Sequence, residues 1–133
     1  MKYLLDTNTC IRFLNGRSEQ IKMRIEGLTP DEILLCSIVK AELFYGALKS
    51  QYPEKNLARQ LQFVNRFLSL SFNDTAADAY SHIRTQLEKK GTPIGPNDLI
   101  IASIAVANKL ILVSHNTKEF SRIPDLMLED WEL

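Results

Sequence analysis

Short apolar runs alternate with segments of helical periodicity along the whole chain, and this alternation limits the folds that the chain can adopt. Five apolar runs are typical of buried strands, at 2–5, 33–36, 68–72, 110–113 and 126–128. The segments between them carry apolar residues at helical spacing and begin with residues that favour helix starts, such as Pro53 and Pro96. Strands that alternate with helices predict an α/β fold with a mostly parallel central sheet.

Several positions mark where the predicted helices begin and which of them is buried. Ser18 and Ser37 are expected to be helix caps, and Asn73 or Asp74 is expected to cap a third helix. The helix that opens at Pro96 is apolar on nearly all sides, so we expect it to lie in the core.

Length and composition predict one domain that spans residues 1–133, with neither an internal repeat nor a linker. The first apolar run meets Asp6 too early for a signal peptide, and no apolar stretch is long enough to cross a bilayer. Cys10 and Cys36 lie in apolar segments and are interpreted as buried, reduced residues, so a cytoplasmic location is expected. The 16 basic residues balance the 16 acidic ones, so any nucleic acid has to be held by a local site.

Polar side chains stand where the predicted strands end. Asp6, Thr7 and Asn8 follow the first strand, and Asn116 follows the fourth. Glu42 lies early in the helix after the second strand, and Asp98 lies in the first turn of the buried helix. In open parallel sheets the ligand crevice forms at the carboxyl ends of the strands, where the strand order reverses.

Each acid has a structural explanation when it is taken alone. Asp98 could simply favour a helix N-terminus, Asp6 could cap a helix, and Glu42 could be a solvated helix residue. Three carboxylates in one crevice would repel each other unless a cation lies between them. Oxygen ligands without His or Cys favour Mg²⁺, with Mn²⁺ as a substitute, and either one or two ions would fit.

The sequence resembles the PIN-domain family, in its branch of VapC-type toxins, over essentially the whole chain. The resemblance is carried by L-L-D-T-N at 4–8, C-S-I-V-K-A-E-L-F-Y-G-A at 36–47, G-T-P-I-G-P-N-D-L-I-I-A at 91–102 and L-I-L-V-S-H-N-T-K-E-F at 110–120. It implies three α/β/α layers around a central, mostly parallel sheet of order 3-2-1-4-5. It also implies that Asp6, Glu42 and Asp98 form the metal site of an endoribonuclease, with Thr7 and Asn8 in support.

The sequence departs from the family pattern at one place. Many PIN domains carry a fourth acid near the end of strand four, where this chain has Asn116, which we therefore include as a candidate catalytic residue; the nearby Glu119 is the alternative. The resemblance further implies a homodimer, an inhibitory antitoxin from the same operon, and an RNA substrate that for some relatives is transfer RNA.

Two other functions compete with the nuclease interpretation. L-L-D-T-N-T partly matches the D-x-D-x-T motif of haloacid-dehalogenase-type phosphatases, but Asn8 stands where the second Asp would act as acid and base. The other alternative is a PIN fold that only binds RNA or a partner without cutting. Arg12 and Lys40 lie near the predicted crevice on topology alone. His115, next to Asn116, is a candidate general base, but we interpret it as a loop or strand-end residue.

Overall fold

The computed structural model describes all 133 residues as five strands and seven helices. The strands are β1 (Tyr3–Leu5), β2 (Ile33–Cys36), β3 (Leu68–Leu70), β4 (Ile111–Val113) and β5 (Met127–Glu129). The helices are α1 (Thr7–Leu14), α2 (Glu19–Glu26), α3 (Ser37–Leu48), α4 (Pro53–Val64), α5 (Asp74–Lys89), α6 (Pro96–Ala107) and α7 (Thr117–Phe120). A single 3₁₀ turn, Pro30–Glu32, leads into β2.

All five strands are parallel and lie in the order β3-β2-β1-β4-β5, which confirms the predicted fold class and strand order. In the central pair Leu5 is opposite Val113, so the residues that follow β1 and β4 emerge side by side. The order reverses between these two strands, because the chain runs outward from β1 to β3 and then returns beyond β1 to β4. The sheet therefore places its topological switch point at Asp6 and Ser114.

Helix α6 is the most deeply buried helix. It follows α5 in the chain and leads into β4, which lies on the other side of β1 from β2 and β3. Leu99 is buried, as is every residue from Ile101 to Ala105, and α6 packs closely on α5. This burial confirms the prediction drawn from its uniformly apolar sequence. Cys10 and Cys36 are also buried and unpaired, as predicted.

The helix starts differ from the sequence-based expectation at one cap. Ser18 and Asn73 do cap their helices, by accepting from Ile21 N and Ala76 N. Ser37 was expected to be a cap, and this is wrong: Cys36 is the extended cap residue and Ser37 is already helical. Its hydroxyl instead donates to Leu70 O of β3, at 3.4 Å, because the short β2 runs directly into α3. No helix in the chain has the length and apolar character needed to span a membrane.

Candidate active site

Asp6 stands at the switch point and is held rigidly by the start of α1. Its backbone N–H donates to Val113 O at 3.1 Å, so it continues the pairing of β1 with β4. Its side chain caps α1 by accepting from Thr9 N at 2.8 Å. Only 5% of Asp6 is exposed to solvent. A carboxylate that is both buried and fixed can hold a ligand with little loss of conformational freedom.

Glu42 reaches the same edge of the sheet from the second turn of α3. Thr7 Oγ1 donates to its Oε1 at 2.5 Å, and Asn97 Nδ2 donates to its Oε2 at 3.3 Å. These two donors come from the first residue of α1 and the first turn of α6. Glu42 thus lies between the helices that carry Asp6 and Asp98.

Asp98 and Glu119 face a common space in front of Gly95. The backbone N–H of Gly95 donates to Glu119 Oε1 at 2.8 Å. A Cβ added at Gly95 would lie 3.7 Å from Glu119 Oε1 and 4.0 Å from Asp98 Oδ2. Asn116 Nδ2 donates to Glu119 Oε2 at 2.7 Å, so both oxygens of Glu119 are positioned. Glu119 is therefore a fourth carboxylate of this cluster.

The electrostatics of Asp98 show that the charges of the other three acids act on it. Its pKa is raised to about 6 by partial burial and then, in decreasing order, by the negative charges of Glu119, Asp6 and Glu42. Burial also raises the pKa of Asp6, although hydrogen bonds from Ser114 and Thr9 partly offset this effect. Because neighbouring negative charges disfavour the ionised form of Asp98, a cation bound beside it would stabilise that form.

The structure brings together most of the residues that the sequence singled out. Asp6, Glu42 and Asp98 meet at the carboxyl edge of β1 and β4, and Thr7 contacts Glu42 directly. Asn116 meets the cluster only through Glu119. Asn8 is exposed and forms no hydrogen bond with any of the acids, so its expected supporting contact is not seen.

Sequence reasoning passed over Ser114, Gly95 and Asn97, and it ranked Glu119 behind Asn116. Ser114 follows β4 as Asp6 follows β1, so the predicted pairing of these strands was a signal for it. Gly95 and Asn97 flank the proline that opens α6. Glu119 gave no such signal, because its position depends on how the short α7 packs against the turn before α6.

The donor set of this cluster fits a hard divalent cation. All its candidate ligands are carboxylate oxygens, which suit Mg²⁺ and Mn²⁺ rather than Zn²⁺. The group of His, Cys and acidic residues whose ligand atoms all lie within 4.8 Å of one another is His115, Asp130 and Glu132, so the oxygens of Asp6, Glu42 and Asp98 are spread more widely. A Mg²⁺ ion among these three acids would be held by one or two of their carboxylates, with water completing the coordination shell.

Comparisons with known proteins agree with this geometry. A family model described as PIN domain matches residues 3–126. The chain is 42% identical over 131 residues to the tRNA(fMet)-specific endonuclease VapC of Salmonella typhimurium, with 98% of each chain covered. It is also 42% identical over 133 residues to Ribonuclease VapC2 of Rickettsia felis, with 99% of each covered. The solved structure of VapBC2 from Rickettsia felis bound to a DNA fragment from their promoter superimposes with a TM-score of 0.92, at 42% identity, over 98% of this chain and 99% of that one.

Proposed function

The chain belongs to the PIN-domain family, and on that premise we propose that it is a metal-dependent endoribonuclease, the toxin of a toxin–antitoxin pair. Full-length relatives at 42% identity are named as ribonucleases, and the similar solved structure is a VapBC toxin–antitoxin complex. The single observation on which the proposal rests is the meeting of four carboxylates at the β1–β4 switch point. A protein that only bound RNA would gain nothing from a cluster that repels the phosphate backbone.

The residues of the cluster have distinct roles in this proposal. Asp6, Glu42 and Asp98 hold Mg²⁺, for which Mn²⁺ substitutes, and Glu119 adds a fourth negative charge at the far side. When bound, such an ion neutralises charge on the phosphate and lowers the pKa of the attacking water. Thr7 and Asn97 fix the orientation of Glu42, while Asn116 and the Gly95 N–H fix that of Glu119.

The partners follow from the same premise. The substrate is RNA in the cytoplasm, and transfer RNA is the first class to test, because one relative carries the name tRNA(fMet)-specific endonuclease. The inhibitor is a cognate antitoxin protein. Two copies of the chain form a homodimer.

The test is the cleavage of a panel of RNAs that includes a tRNA(fMet) transcript, an elongator tRNA and a messenger RNA fragment, with Mg²⁺ or Mn²⁺. We expect Asp98→Asn to lower the cleavage rate by at least about a hundredfold, because it removes a charged ligand while keeping the side-chain volume. Asp125→Asn is the matched control, since Asp125 is exposed and forms no ion pair. Full activity of Asp98→Asn would show that the site is wrongly assigned.

The products and a second substrate separate the nuclease from its alternatives. Attack by water leaves a 5′-phosphate on the downstream fragment, whereas a 2′,3′-cyclic phosphate would contradict the proposed chemistry. Release of p-nitrophenol from p-nitrophenyl phosphate would instead favour a phosphatase. RNA that is bound but stays intact across the whole panel would favour a binding module.

A further inference from the structure

A polar cleft of about 700 Å³ lies beside the acid cluster, between α1 and the turn that follows β4. Ile11 is the one apolar residue among the eight that line it. The polar groups that matter for its chemistry are Asn8, Arg12, Arg17, His115, Asn116 and Glu132. This volume is in the range of ligand pockets, and its lining is unlike an apolar protein-docking groove.

The cleft borders the acid cluster at Asn116. Asn116 lines the cleft and at the same time donates to Glu119, which lies against Asp98. Asn8 lines the cleft two residues after Asp6. The cleft and the acid cluster therefore meet at Asn116.

Glu132 is the one carboxylate that lines the cleft, and it and the neighbouring Asp130 each lie beside a basic group. Arg12 Nε lies 2.7 Å from Glu132 Oε1. His115 Nδ1 lies 2.8 Å from Asp130 Oδ2, and Asp130 is itself held by the backbone N–H of Glu132 at 2.9 Å. Arg12 offsets the charge of Glu132, and the contact with Asp130 fixes the imidazole ring of His115.

Two donors remain available at the cleft once these pairs are counted. Arg17 is exposed and makes no ion pair with any residue of the chain. The Nε2 atom of His115 is left free, because only Nδ1 contacts Asp130. The hydrogen bond to Asp130 also raises the pKa of His115, which favours its cationic form. Arginine, a cationic imidazole and amide groups are the donors that proteins use on phosphate and sugar oxygens.

We propose that this cleft is a subsite for the RNA chain that flanks the bond to be cut, with Arg17 and His115 contacting backbone phosphate. The subsite rests on the proposed function and explains how a chain with zero net charge holds RNA locally. Arg12 acts indirectly, by neutralising Glu132. Asp130 is a positioning residue for His115.

The test is single-turnover cleavage of the tRNA(fMet) transcript by the double variant Arg17→Ala/His115→Gln. We expect the half-saturating enzyme concentration to rise by about tenfold, which corresponds to the loss of two modest contacts, while the saturating rate changes little. In a plot of log affinity against log salt concentration, the slope should become shallower by about one to two, as expected when phosphate contacts are removed. Arg17→Lys should keep most of the affinity, since it keeps the charge.

The control Lys55→Ala/Lys90→Ala removes two exposed basic groups that lie elsewhere on the surface and make no ion pair. It should leave the half-saturating concentration unchanged. An equal effect of both double variants would overturn the subsite, since it would mean that only overall charge matters. Unchanged RNA parameters together with weaker antitoxin binding would also overturn it and would assign the cleft to the protein partner. A wild-type chain that cuts no RNA would remove the proposed function itself, and the subsite with it.

Discussion

The raised pKa of Asp98 reflects its partial burial and the acids that surround it in the site. Asp98 stands in the first turn of α6, where the positive end of the helix dipole would stabilise a carboxylate. Its pKa is nevertheless raised to about 6, because partial burial and three neighbouring acids outweigh that favourable position. A simple helix-start acid would show no such effect. The interaction with Glu119 is the largest of the three charge effects, which is why Glu119 belongs to the cluster.

This raised pKa predicts how the metal-free protein depends on pH. Folded Asp98 keeps its proton up to about pH 6, whereas in the unfolded chain it ionises near its ordinary value of 3.8. Between these values Asp98 binds more protons in the folded than in the unfolded state, so its contribution to the free energy of unfolding should fall as pH rises from about 4 to 6. We expect a loss on the order of 1 kcal/mol from Asp98, reduced by its partial exposure to solvent.

The measurement is urea denaturation in EDTA at pH 4, 5, 6 and 7, with wild type compared with Asp98→Asn. The variant should lose less stability over this range, because its amide does not titrate. Parallel pH profiles for the two proteins would contradict the assignment of the raised pKa to Asp98.

At the scale of elements, the end of α1 determines where Arg17 stands. Gly16 has a φ of +64°, and the N–H of Arg17 donates back to Arg12 O at 3.0 Å. This left-handed turn ends the helix and directs the chain back across the cleft before α2 begins at Glu19. The positions of Arg12 and Arg17 at one cleft thus depend on the conformational freedom of a glycine.

Replacement of this glycine should be destabilising for a backbone reason alone. A Cβ at Gly16 would meet no atom within 4 Å, so Gly16→Ala adds no clash but forces alanine into a left-handed conformation. We expect a loss of about 1 kcal/mol in the free energy of unfolding, measured by urea denaturation.

Gly46 provides the matched control within the same molecule. It lies inside α3 with an ordinary helical φ, and a Cβ there would also meet nothing within 4 Å. Gly46→Ala should therefore stabilise the chain by about 0.5–1 kcal/mol, because alanine favours the helix. The same sign of change for both substitutions would contradict this explanation.

At the scale of the whole molecule, the site joins parts of the chain that are far apart in sequence. Asp6 follows β1, Glu42 lies on α3, Asp98 on α6 and Glu119 on α7. Their mutual repulsion costs free energy in the folded state, and a cation bound among them would recover it.

We therefore expect divalent ions to stabilise the folded protein. Because the ion binds only the assembled cluster, Mn²⁺ at a hundred times its dissociation constant should add about 2.7 kcal/mol and raise the melting temperature by roughly 10 °C. Asp98→Asn should show only a small part of this shift in a calorimetric melt, and Asp125→Asn should show all of it. A shift that is the same in all three proteins would point to ion binding elsewhere.

The sequence alone determined the elements and their class. Apolar runs of three to five residues that alternate with segments of helical periodicity are best buried as strands covered by helices. Helix starts were marked by two prolines, Pro53 and Pro96, and by two capping side chains, Ser18 and Asn73. The sequence also singled out three of the four clustered acids, because Asp6 follows a strand, Asp98 lies in the first turn of a helix and Glu42 lies in the first two turns of the helix after β2. The strand order came with the family resemblance.

Only the tertiary structure decided how these residues meet. The fourth acid of the cluster is Glu119, and Asn116 contacts the cluster only through it. The packing of α7 brings Glu119 to the Gly95 N–H, and no local pattern encodes that contact. The pairing of His115 with Asp130 likewise joins the turn after β4 to the segment after β5. Local sequence specifies backbone preference and burial, whereas contacts between distant side chains depend on how whole elements pack, which periodicity does not record.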